Sequence, residues 1–188
     1  KIFRVLSLGW TGKYEQWRHY SRAYLLFAAL ATPLVISVHS VVSWDFALGV
    51  IPGWHTTIFA PYFVAGAIHS GLAMVLTLMI PLRKIFHYEW IITAKVLERV
   101  AQTIVLTGLI VGFAYGTEQF IAWYSQNTVE MEIFRYRVFG DFALSFWIMV
   151  VCNTIIPLLF FFKYFRTSIF WLFTISILVN IGMWYERY

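Results

Sequence analysis

The sequence predicts an all-α, polytopic transmembrane bundle of about five spanning helices, and three observations carry that reading. Hydrophobic residues make up 61% of the 188 and charged residues only 12%, with a mean hydropathy of +0.73, so the composition lacks the polar surface a water-soluble domain needs. The apolar runs reach the roughly 18 residues of a bilayer span with few charges inside them. They are also continuous and rich in Leu, Ile, Ala and Phe, unlike the alternating segments of about ten residues in a transmembrane barrel.

Taken in order, residues 1–22 carry Lys1, Arg4, Lys13, Arg18 and Arg22 against the single acid Glu15, interleaved with Trp10, Tyr14, Trp17 and Tyr20. Basic and aromatic side chains mixed in this way predict an interfacial segment in lipid headgroups, and beside membrane spans they point away from nucleic acid. Residues 23–188 form the bundle. Its first span is placed at about 23–46 and is followed by Gly49, Pro52 and Gly53, which break helix. The second, about 57–79, ends before Pro81, Arg83 and Lys84, and the third covers about 95–124. A polar link over residues 125–137 leads to a fourth span at about 142–162, and a loop over 163–167 leads to a fifth at about 168–184.

Lys and Arg concentrate on one side of this arrangement: the N-terminal segment, the connection holding Arg83, Lys84 and Lys95, and the one holding Lys163 and Arg166. That side is expected to be cytoplasmic. The connections over residues 49–56 and 125–137 then face outward. Gly108, Gly112 and Gly116 recur every four residues and predict a face of the third span that a neighbouring helix approaches closely.

Ionisable residues in or near spans are the functional candidates, because an unpaired charge there is costly. They are His39, Asp45, His69, Glu118, Asp141 and Glu186, most of them toward the outer ends. His39 and Asp45 are six residues apart, about 9 Å and roughly 120° around a helix, so they can border one pocket at two levels. His69 lies about 8 Å deeper than His39 by rise per residue, which disfavours a haem held by both. His69, Glu118 and Asp141 are candidates for a proton path; for Glu118 the alternative is an ion pair with Arg135 or Arg137. The single Cys152 cannot hold an iron–sulfur cluster, so any cluster belongs to a partner, and no metal site is expected.

Five strings, beginning at His39 (HSVVSWDF), Pro52 (PGWHTTIFAPYF), Tyr115 (YGTEQFIAWYS), Cys152 (CNTIIP) and Asn180 (NIGMWYER), together resemble the NrfD-like, polysulfide-reductase membrane subunits. The nearest likeness is to the large membrane subunits of bacterial alternative complex III. The resemblance implies a partial chain, about the second half of a larger subunit. It implies a bacterial inner-membrane protein that binds quinol, menaquinol or ubiquinol, near the periplasmic face and holds no haem or iron–sulfur cluster itself. His39, Trp44, Asp45, Phe46 and His55 would border the quinol, with His39 and Asp45 acting on its protons. Electrons would pass to an iron–sulfur subunit and then to c-type cytochrome subunits, beside a paralogous membrane subunit. Two alternatives remain at this point, a proton-translocating paralog without a quinol site and a structural membrane anchor.

Overall fold

The computed structural model describes residues 7–49 and 58–187, and among them the backbone is helical without strands. The helices are α1 (Tyr14–Ala47), α2 (Phe59–Ile85), α3 (Ala94–Tyr124), α4 (Thr128–Phe139), α5 (Ala143–Val150), α6 (Lys163–Thr167) and α7 (Ile169–Glu186). α5 continues without a break through a π-turn, Val151–Ile155, and a 3₁₀ stretch, Ile156–Phe161. Five segments are long and apolar enough to cross a bilayer: α1, α2, α3, Ala143–Phe161 and α7. The protein is an all-α, multi-pass membrane bundle.

α2, α3, the α5 segment and α7 form a four-helix core in which α2 packs on α3 and α7, and the α5 segment closes the ring between α3 and α7. One core cluster, with Leu76, Leu97, Ile104, Phe160, Ile175 and Val179, fills most of it. A smaller one, with Tyr62, Val111, Ala114, Tyr115 and Met149, lies nearer the other end. α1 runs along the outside of α2, and Ser43 is its only buried residue. Apolar residues such as Phe27 and Leu34 are exposed on α1, as suits a helix whose solvent is lipid.

The fold departs from the expected reading in four places, three of them with a local cause. α1 starts at Tyr14, inside the segment expected to be purely interfacial, because the Gln16 side chain accepts from the backbone N–H groups of Thr11 and Lys13 and closes the first turn. Trp10, Trp17 and Tyr20 then stack edge to face on its first turns. α2 runs through Pro81 to Ile85. The polar link is a helix, α4, whose N-terminus is capped by the Asn127 side chain accepting from Val129 N and Glu130 N. The fourth span changes helix type midway because Pro157 has no N–H to offer the Asn153 carbonyl, four residues before it.

Small residues set the packing, as expected where lipid supplies no hydrophobic drive between helices. A Cβ on Gly108 would lie 3.2 Å from His69 Cε1 and 3.3 Å from Asn153 O, and one on Gly112 would strike the Thr154 side chain. Two rungs of the glycine ladder therefore meet the π-turn. Gly116, the third, faces open space. At the opposite end, Arg166 Nε bonds Glu98 Oε1 at 2.8 Å and ties the short α6 to α3.

Candidate functional site

The four core helices each send one polar side chain to a common point. Glu186, the last residue of α7, accepts on Oε1 from the Tyr62 hydroxyl of α2 at 2.7 Å. Its Oε2 accepts from the Tyr115 hydroxyl of α3 at 2.5 Å and from Asn153 Nδ2 of the π-turn at 3.1 Å. Asn153 Nδ2 also donates to the Tyr115 oxygen at 3.0 Å. Donors alone face the carboxylate, which is the arrangement that satisfies an acceptor-only group. The rings of Tyr62 and Tyr115 meet edge-on at 5.7 Å.

The local sequence explains why these four converge. Tyr62 and His69 sit seven residues apart on the inward face of α2, with Gly66 between them. A Cβ on Gly66 would lie at ordinary contact distance from Met183 and Glu186, 3.6 and 3.7 Å, so α7 runs close beside α2 here and its carboxylate reaches Tyr62. On α5, the π-turn widens the helix at Asn153 and turns its side chain inward, where it is completely buried.

Two cavities open onto Glu186. The first, of ≈ 260 Å³, is walled by Phe46, Phe59, Phe63 and Met183 and also lined by Tyr62, Glu118, Arg137 and Arg187. The second, of ≈ 230 Å³, lies between Arg137, Phe142, Phe146, Met149 and Tyr185. Arg137 and Glu186 border both, so the two make one cleft near the lower end of the size range of small-molecule sites, about 300–1,000 Å³. The Arg137 guanidinium is held over the rings of Phe134 and Phe146, 5.7 and 5.8 Å from their centroids. Glu118 is close enough to Arg137 and Glu186 for their charges to act on it.

The residues singled out from sequence divide around this cleft. Glu118 lines it and is buried, and no hydrogen bond or ion pair engages it among the described residues. The expected ion pair with Arg137 is thus replaced by a shared cavity, while Arg135 faces a separate surface cleft with Glu132 and Tyr136. Phe46 lines the cleft as well. His39 stands behind Phe63, with ring centroids 6.2 Å apart, and donates from Nδ1 to its own helix at Val35 O, 2.8 Å away. Asp45 and Trp44 are exposed and border neither cavity. His55 lies outside the described residues. His69 is fully buried between α2 and α3. Its Nδ1–H donates to Thr107 Oγ1 at 2.9 Å, since the threonine proton is directed to the carbonyls of Thr103 and Ile104. Asp141 is exposed, apart from the cleft, and accepts from the Tyr136 hydroxyl at 2.5 Å, a bond that holds this phenol above its ordinary pKa.

Sequence reasoning marked Glu186 as an intramembrane acid but assigned it no role, named Arg137 only as a candidate ion-pair partner of Glu118, and missed Tyr62, Tyr115 and Asn153. Tyrosines near span ends read as members of an interfacial belt. Asn153 was the available signal, because an amide inside an apolar span needs partners.

The sequence profile described as Polysulphide reductase, NrfD matches residues 2–188. The chain belongs to the NrfD family. Comparison with curated proteins gives no match. As an NrfD protein it falls among the membrane subunits of quinone-interacting oxidoreductase complexes, whose members partner with iron–sulfur subunits. In this NrfD chain the convergence of polar groups from all four core helices lies at the end away from Arg83, Lys84, Lys163 and Arg166.

Proposed function

We propose that this NrfD chain is the quinol-binding membrane subunit of a quinol-oxidising complex in a bacterial inner membrane, and that quinol binds in the Glu186 cleft near the outer face. The observation that carries the reading is a cleft with aromatic walls and two carboxylates, one anchored by three donors and one unbonded.

Quinol oxidation releases two electrons and two protons, and the residues here suit the proton half. Phe46, Phe59 and Phe63 offer flat apolar surface to a ring. Glu118, without a competing hydrogen bond or ion pair among the described residues, accepts a hydroxyl proton. Glu186, fixed by Tyr62, Tyr115 and Asn153, receives the other hydroxyl at a defined point. Arg137 offsets the negative charge of the two carboxylates and, between the cavities, stands on the way outward. The electrons leave to the iron–sulfur subunit, and c-type cytochromes and a paralogous membrane subunit, as in alternative complex III, complete the assembly. His39 lies one aromatic layer from this cleft, behind Phe63, and with Asp45 is assigned the passage of protons away from it, while Trp44 is exposed and borders neither cavity.

One observation favours proton translocation as a second reading. His69 Nε2, Asn153 Oδ1 and Thr154 Oγ1 are buried without partners, and they continue from the Glu186 cluster into the bundle, where hydrated groups are able to relay protons.

The test is Glu186→Gln in the purified, assembled complex, reading quinol-dependent reduction of the partner's iron–sulfur centre. Turnover is expected to fall by about 10²-fold or more, the range for a lost acid–base group, with assembly intact. Wild-type turnover would overturn the assignment. Loss of proton movement in vesicles with quinol oxidation retained would favour the second reading.

A further inference from the structure

On the flank of the bundle α3 and α5 part to leave a groove of ≈ 360 Å³. Gly112 and Gly116 form its floor, Trp147 is one wall and Tyr115 is the back. The Tyr115 hydroxyl is the one that donates to Glu186 at 2.5 Å. A single ring thus stands between the groove and the cleft, and Phe146 borders both the groove and the second cavity.

Two polar groups make this groove unlike an ordinary lipid-facing seam. Gln119 lines it and has no hydrogen bond among the described residues, and Thr154 lines it with a buried Oγ1 that has no partner. Within hydrocarbon such groups need a partner, and an acyl chain supplies none. A molecule with an apolar tail and a hydroxylated ring does. Resting on the reading of the cleft as a quinol site, we infer that the α3/α5 groove is the lateral entrance through which a membrane-dissolved quinol reaches Glu186.

The glycine floor fits this use. A Cβ on Gly116 would meet nothing within 4 Å, so packing does not require glycine there, and its missing side chain leaves the groove open as far as the Tyr115 ring. A helix from a partner is the rival occupant. The groove extends from Gly112 to Gln119, about 10 Å along α3, and Val138 stands at the Gln119 end. That is short for a spanning helix, which needs contact along several turns, and suits a ring followed by a flexible tail.

The experiment uses the intact complex and a long-tailed quinol. Gly116→Leu places a branched side chain in the groove from a Cβ that meets nothing within 4 Å and is expected to lower kcat/KM by about tenfold or more while kcat at saturation stays within about twofold, the pattern of impaired capture with intact chemistry. Gln119→Leu, which breaks no internal bond, is expected to act in the same direction and decides the matter if Gly116→Leu fails to assemble. Leu106→Val, on the lipid-facing side of α3, is the control and is expected to change nothing. Wild-type kcat/KM in both groove variants beside an inactive Glu186→Gln protein overturns the entrance and leaves the cleft standing. Full activity of Glu186→Gln removes the cleft, and the entrance with it. A disulfide between Gly116→Cys and a cysteine on a partner's helix, in an otherwise wild-type assembly, would also overturn the inference.

Discussion

Gly182→Ala is the sharpest structural perturbation of the site, because it touches neither cavity nor any charged group. A Cβ at position 182 would lie 2.6 Å from Cys152 Cβ and overlap the Asn153 side chain. Carbon atoms pack at about 3.5–4.0 Å, so α7 has to withdraw from the π-turn by about 1 Å. Asn153 Nδ2 is already 3.1 Å from Glu186 Oε2, and the same withdrawal stretches that bond past useful length. Overpacking costs about 1–3 kcal/mol, and a hydrogen bond to a charged group contributes about 1.5–3 kcal/mol. A combined loss of about 3 kcal/mol corresponds to a Tm lower by about 6–12 °C for a chain of this size. The assay is thermal unfolding in detergent beside Gly71→Ala, where a Cβ meets nothing within 4 Å and the Tm is expected to hold or rise. Turnover should fall with the loosened carboxylate even below the melting range. A Gly182→Ala protein melting within about 2 °C of wild type would refute the claimed contact between α7 and the π-turn.

Further outcomes follow from the same geometry. Gly112→Leu would drive a side chain into Thr154 and is expected to reduce assembled complex sharply, measured as purified yield; normal yield would mean α3 is rotated relative to α5. Single cysteines at Gln126 and Lys84 in a Cys152→Ala background are expected to react with an impermeant thiol reagent from outside and from the cytoplasm respectively, and the reverse pattern would invert the site's placement. Glu98→Gln removes a partly exposed ion pair with Arg166, so stability is expected to drop by only about 0–1 kcal/mol, read from the same melting curves.

The fold was legible where one rule governs it. Continuous apolar runs of span length announce helices regardless of packing, so the five spans stand near their expected places. The starts and breaks were less legible. A basic, aromatic segment looks the same on a helix as in an interface, and what makes Tyr14 a helix start is the Gln16 side chain folded back on Thr11. Pro157 was visible, but the π-turn before it depends on what α3 and α7 leave room for, namely Gly108, Gly112 and Gly182.

The site was half legible for a related reason. Glu118 and Glu186 stand out as acids in apolar sequence, whereas the partners of Glu186 are two tyrosines and an asparagine more than thirty residues away along the chain. Only the packing of four helices against one another brings Tyr62, Tyr115 and Asn153 onto one carboxylate. His39 and Asp45 attracted attention by proximity on one helix, yet α1 lies outside the core and shows the cleft Phe46 instead.

The central claim is that the ring of a quinol occupies the cleft beside Glu186, and the most direct measurement is an experimental structure of the assembled complex with a bound quinone-site inhibitor. Ring density is expected between Phe63 and Glu186, with one oxygen within hydrogen-bonding distance of Glu118 or Glu186. Ring density beside His39 and Asp45, with no ring between Phe63 and Glu186, would contradict it.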